Sequence, residues 1–108
     1  MEKFGYAEKI EKKEVFKGVF GQYLGSGKNM NVMHWNFEDN VSLPAHSHDA
    51  EQFGYIIKGG FRVTIDGETQ LLKAGDFYFV PSNAEHSFVS VGETEAIDVF
   101  SPPKEISM

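Results

Sequence analysis

Cysteine is absent from the 108 residues, which excludes disulfides and every thiolate metal or nucleophile site. Basic residues are scarce: Lys and Arg total 10 against 16 Asp and Glu, and the formal net charge is -6. A chain of that sign repels a phosphate backbone, so nucleic acid is not an expected partner. Long apolar runs are missing too. The longest, Phe77–Val80, is far short of the roughly 20 residues of a membrane span, so no membrane partner is expected. Residues 1–13 are charged and carry no apolar stretch of the signal-peptide kind. A soluble cytoplasmic protein is the expectation.

What is present is ordinary globular composition, with 41% hydrophobic and 24% charged residues. That length suits one domain. Aromatics reach 14% and are mostly Phe, an efficient way to build a core in so short a chain. Glycines fall between short runs rich in Val, Ile, Phe and Tyr. Short strands between turn signals predict an all-β sandwich or barrel. The clearest hairpin is Phe61–Ile65, then Asp66-Gly67, then Glu68–Leu72. Phe77–Val80 reads as a strand buried on both faces. Ala96–Phe100 reads as a last strand, closed by Pro102-Pro103. The mixed-charge residues 1–13 read as a solvated arm or short helix ahead of a single domain over residues 14–108.

Four histidines stand at 34, 46, 48 and 86. On a strand, His46 and His48 would project to one face. Gln52 follows four residues on, and His86 lies shortly after Pro81. Three neutral imidazoles and one oxygen donor suit one divalent first-row metal such as Mn, Fe, Co, Ni or Zn. His34 stands apart and reads as a cavity-lining or surface residue.

The spacing resembles the cupin superfamily, whose motifs are G-x5-H-x-H-x3-4-E-x6-G and G-x5-P-x-G-x2-H-x3-N. The first reads here from Asn40 through His46, His48 and Gln52 to Gly59. The second reads from Gly75 through Pro81, Asn83 and His86 to Ser90. Asn40 and Asn83 replace glycines, a mild change because Asn tolerates the left-handed conformation. The resemblance implies a small jelly-roll β-barrel with a metal near its centre, usually a homodimer. Gln52 stands where most cupins carry a metal-binding Glu. Either its carbonyl oxygen ligates or it is a polar filler. If it ligates, the site keeps the ion's full +2 charge and favours an anionic ligand.

The run H-x-H-x-x-E-Q, with Ile97–Pro102, further resembles the uronate-linearising cupins of pectin and alginate breakdown. That resemblance implies ring opening of 4,5-unsaturated monouronates, small anionic sugars, with His46, His48, Gln52 and His86 as ligands. It also implies Asp98 as the catalytic residue and Phe100 as its neighbour at the substrate. The subgroup's Arg is Lys104 here, which keeps the charge but loses the planar fork. Asp98 and Phe100 share a strand face, as do His86 and Phe88, and the two strands are expected to lie side by side. Asp98 serves either there or as a rim residue paired with Lys104. Arg62 is a second candidate for the substrate carboxylate. Trp35, Phe53, Tyr55 and Tyr78 line a cavity or pack a core. Two other readings stand beside this one: a metal-dependent dioxygenase, and a non-catalytic sugar-acid-binding module.

Overall fold

The computed structural model describes residues 3–106. Met1, Glu2, Ser107 and Met108, the outer ends of the expected arm and domain, lie outside the described residues. Ten strands form: β1 (Lys13–Phe16), β2 (Val19–Ser26), β3 (Asn31–Phe37), β4 (Ser42–His46), β5 (Glu51–Lys58), β6 (Gly60–Ile65), β7 (Glu68–Lys73), β8 (Phe77–Val80), β9 (His86–Ser90) and β10 (Thr94–Ser101). They make two antiparallel sheets, ordered β1-β2-β3-β10-β5-β8 and β4-β9-β6-β7. The sheets face each other as a small jelly roll. Among the described residues no helix is long and apolar enough to cross a membrane.

Alternation drives this arrangement. Along β10, Thr94, Ala96, Asp98 and Phe100 are buried while the residues between them are part-exposed. The core gathers aromatic rings from both sheets. Phe61 packs edge-on against Phe37 at 4.8 Å and against Phe88 at 5.4 Å, an arrangement the ring quadrupoles favour. The hairpin forms where expected: Asp66 and Gly67 both take positive φ (49° and 83°), matching the twist of the strands they join. Asn40 and Asn83 also adopt left-handed backbone, at φ 56° and 65°. Both therefore carry out the turn that glycine performs in the motif.

One expected feature fails. β8 is not buried on both faces. Tyr78 and Val80 point inward, but Phe77 and Phe79 are 56% and 65% exposed. The reason is position: β8 is the edge of the six-stranded sheet, and among the described residues nothing covers its outer face. Arg62 is exposed, on the opposite side of β6 from buried Phe61 and Val63. It does not reach the interior, so it is removed as a carboxylate partner. The N-terminal segment makes one 3-10 turn, Ala7–Lys9, and the buried Gln22 amide donates to the carbonyls of Ala7 and Ile10.

Phe61→Ala is expected to cost about 3–5 kcal/mol in urea unfolding, because the cavity left between two sheets cannot collapse. Arg62→Ala on the same strand is expected to stay within about 0.5 kcal/mol of the parent. Equal losses would contradict this placement of the core.

Candidate metal centre

His46 ends β4, and His86 opens β9 directly opposite it in the ladder. His48 lies beyond β4 in the loop to β5, so strand alternation alone does not bring it to His46, as the spacing suggested. The loop does this work. Asn83 N–H donates to the His48 carbonyl at 2.8 Å, and Ser82 Oγ donates to the Asp49 carbonyl at 2.7 Å. The two motif turns are thus stitched together, and a ligand nitrogen from each of His46, His48 and His86 lies within 4.8 Å of the others.

The rings are aimed by their far sides. Nδ1 of His46, His48 and His86 meets the backbone carbonyls of Pro44, Ala50 and Ala84 at 3.0, 2.8 and 2.9 Å. A carbonyl only accepts, so each Nδ1 carries the proton and each Nε2 presents a lone pair. His86 Nε2 is buried without a hydrogen-bond partner. Burial, together with the like charges that His46, His48 and Lys104 would present, lowers the His86 pKa to about 4, although its Ala84 hydrogen bond pulls the other way. The ring is neutral near pH 7, the form that ligates.

Gln52 is buried on β5, with Oε1 3.2 Å from His48 Nε2. Tyr78 donates to the Asp98 carboxyl, and the neighbouring Gln52 and Trp35 side chains also favour its charged form. The proton of His48 is on Nδ1, so with Oε1 turned toward Nε2 two lone pairs face each other between His48 and Gln52. A cation beside them resolves the conflict. These donors fit a divalent ion, with His46, His48 and His86 as nitrogen ligands and Gln52 as the oxygen. The same geometry explains Gln rather than Glu. A glutamate would set a second carboxylate against Asp98, whereas an amide offers one acceptor to the centre and one donor to the acid.

Asp98 is buried, and Tyr78 Oη donates to its Oδ1 at 2.7 Å. Burial raises the Asp98 pKa to about 6, while the hydrogen bonds from Tyr78, Gln52 and Trp35 hold it back. Burial and the neighbouring Asp98 charge push Tyr78 well above the usual phenol range, so its hydroxyl stays a donor. β10 does not lie beside β9; the two belong to opposite sheets. Asp98 thus shares the interior with the histidines by facing them, not by strand pairing. It makes no salt bridge to Lys104.

A cavity of about 220 Å³ joins these groups, with Trp35, His46, Gln52, Asp98, Phe100 and Lys104 in its wall. Phe100 packs edge-on to the His48 ring at 5.8 Å, and Lys104 Nζ sits 5.7 Å from the Phe100 ring centre. The fully buried Asn31 was not foreseen. Its side chain clamps Lys104 twice, donating to the Lys104 carbonyl at 2.6 Å and accepting from its N–H at 3.1 Å. An apolar-strand pattern gives no signal for that role. Of the aromatics, Trp35 and Tyr78 line the cavity. Phe53 and Tyr55 lie on the outer face of β5, because alternation turns Gln52, Gly54 and Ile56 inward. His34 also faces outward, its ring nitrogens held by Gln22 at 2.8 Å and Glu95 at 2.6 Å.

The sequence-family comparison is decisive: residues 33–100 match the cupin domain family. The chain belongs to the cupin family. This cupin is 34% identical over 92 residues to the pectin degradation protein KdgF of Dickeya dadantii (strain 3937), covering 75% of this chain and 84% of that one. It superposes on an RmlC-like cupin from Shewanella frigidimarina with a TM-score of 0.92 at 31% identity, covering 97% and 95% of the two chains. KdgF from Halomonas sp. shares the fold at a TM-score of 0.92 and 23% identity, with 97% of each chain covered.

Nickel or zinc at about a thousand times its Kd is expected to add about 4 kcal/mol, a rise of roughly 10 °C or more in melting temperature. Chelator should reverse the rise. His86→Ala should abolish it; an undiminished rise in that variant would place the ion elsewhere.

Proposed function

We propose that this cupin is a metal-dependent enzyme that linearises 4,5-unsaturated monouronates from pectin or alginate breakdown to the open-chain keto-deoxyuronate. The observation that carries the reading is a buried acid that shares one small cavity with His46 and His48, whose ring nitrogens converge with that of His86. The kinship with a protein named for pectin degradation supports the substrate class. The cavity, about 220 Å³, is below the usual range for drug-sized ligands and suits a single sugar ring better than an oligosaccharide.

The reaction is an isomerisation in which one proton changes place. Asp98 accepts the proton of the C1 hydroxyl. The electron pair of that O–H bond forms the C1 carbonyl, and the bond from C1 to the ring oxygen breaks. The ring oxygen takes up the released pair as an enolate at C5. When the C5 carbonyl forms, the C4–C5 double bond takes back the proton from Asp98 at C4. Nothing is oxidised and nothing leaves. An ordinary Asp, near 3.9, is a poor acid at pH 7. Asp98, lifted to about 6 by burial, is better matched to returning the proton. A bound divalent ion supplies a Lewis acid for the negative charge that develops on oxygen. Lys104, clamped by Asn31, holds the sugar carboxylate, and Phe100 supplies an apolar wall that keeps water from the acid.

The reading includes a homodimer. Exposed Tyr55, Phe77 and Phe79, with half-buried Phe53 among them, form an apolar face on the outside of the six-stranded sheet. A second copy of the chain is the proposed occupant. Sedimentation is expected to show a dimer that Phe79→Glu converts to a monomer. A wild-type chain that sediments as a monomer would remove that part of the proposal.

Purified protein given the monosaccharide product of a pectin or alginate lyase should bleach the ultraviolet absorbance of its conjugated enol ether. Chelator should stop the bleaching. Asp98→Asn should lower kcat by at least about a hundredfold with metal content intact. Asp98 acts first as a base, so kcat/KM should rise with pH. Its midpoint should lie between the ordinary value near 4 and the burial-raised value of about 6, because the dication pulls it down. Calorimetric binding without turnover would favour the sugar-acid-binding module, and oxygen uptake would favour the dioxygenase.

A further inference from the structure

β5 runs between Tyr78 on β8 and Asp98 on β10. Gly54 is the β5 residue paired with both: with Tyr78 in one ladder and with Asp98 in the other. All three are buried inward positions of their strands. A Cβ built on Gly54 would lie 2.0 Å from Tyr78 Cζ and 2.3 Å from its hydroxyl oxygen. The tyrosine ring therefore lies across the space that a side chain at 54 would fill. From there its hydroxyl crosses β5 to reach Asp98 Oδ1 at 2.7 Å. Gly54 is not among the positive-φ positions, so space and not backbone freedom demands glycine there. Glycine inside a strand weakens it, and here the gap admits one ring. Phe88, centred 5.1 Å away, backs the ring, and Asp98 is the hydroxyl's hydrogen-bond partner on the cavity side.

We infer that Tyr78, seated over Gly54, is a positioning residue for the acid: its hydroxyl locks the rotation of the Asp98 carboxyl so that the proton-carrying oxygen faces the sugar. The inference rests on the linearisation reading and deepens it. A phenylalanine would fill the same space and remove the one hydroxyl that holds Asp98 Oδ1, leaving that oxygen to its weaker neighbours Gln52 and Trp35. A displacement of the reacting oxygen by about 1 Å is enough to slow a proton transfer by up to about a hundredfold.

Tyr78→Phe keeps the ring and removes only the hydroxyl. It is expected to lower kcat at least about tenfold, with KM within about twofold, bound metal per chain unchanged and the melting temperature within a few degrees. Gly54→Ala displaces the same hydroxyl and should act in the same direction. The double variant should lose no more kcat than Gly54→Ala alone, because once the ring is displaced its hydroxyl has no contact with Asp98 left to lose. Wild-type protein should also show a slowly exchanging downfield hydroxyl proton by NMR, lost in Tyr78→Phe and in Asp98→Asn. Turnover at the wild-type rate in Tyr78→Phe, losses that multiply in the double variant, or the lack of that proton would each overturn the inference. A wild type that shows the proton but leaves the unsaturated uronate intact sinks the substrate reading, and the kinetic role of Tyr78 with it. Wild-type turnover that Tyr78→Phe leaves untouched sinks the inference alone.

Discussion

Three short hydrogen bonds from imidazole Nδ1 to backbone carbonyl hold the site together. Each anchors a ring to a residue two positions away: His46 to Pro44, His48 to Ala50, His86 to Ala84. Anchoring on one side points the lone pair on the other, and the fold then sends all three lone pairs to one place. Without those carbonyls the rings would be free to flip. The jelly roll serves this arrangement by pairing His46 with His86 across β4 and β9, and by tying the His48 loop to the turn at Asn83.

A second constraint follows from putting a carboxylic acid in the same interior. A buried, unpaired Asp is costly, and Asp98 meets that cost with side-chain donors in place of a counter-charge. A salt bridge would have pinned it as a carboxylate. Neutral donors leave its pKa at about 6, above the ordinary value for an aspartate. Gln52 belongs to both halves of this design, with its oxygen toward His48 and its nitrogen toward Asp98. One amide therefore stands between the candidate metal centre and the acid.

Much of the architecture was legible in the sequence because it is written in local chemistry. Asp66-Gly67 declares its hairpin, and the motif spacing marks Asn40 and Asn83 as left-handed turns. The convergence of His46, His48 and His86 was legible by spacing, and resemblance placed Asp98 in the same interior. The elements that were not legible depend on where strands lie in the sheets. Phe77–Val80 carries no alternation in its apolar letters, so its edge position and its uncovered outer face could not be read. Gly54, Tyr78 and Asp98 meet only because three strands stack in register, and residues so far apart in sequence give no sign of it. Asn31 looks like any polar residue opening a strand. Its grip on Lys104 exists only once the C-terminal segment has folded back over β3.

The central claim is that one ion is held by three imidazoles and the Gln52 oxygen inside the barrel. X-ray absorption on the zinc-loaded protein tests it most directly. The account predicts a shell of nitrogen and oxygen donors at about 2.0–2.2 Å with outer-shell scattering from three imidazole rings, and one ring fewer in His48→Ala. An ion surrounded by carboxylate and water oxygens, with no imidazole scattering, would contradict it.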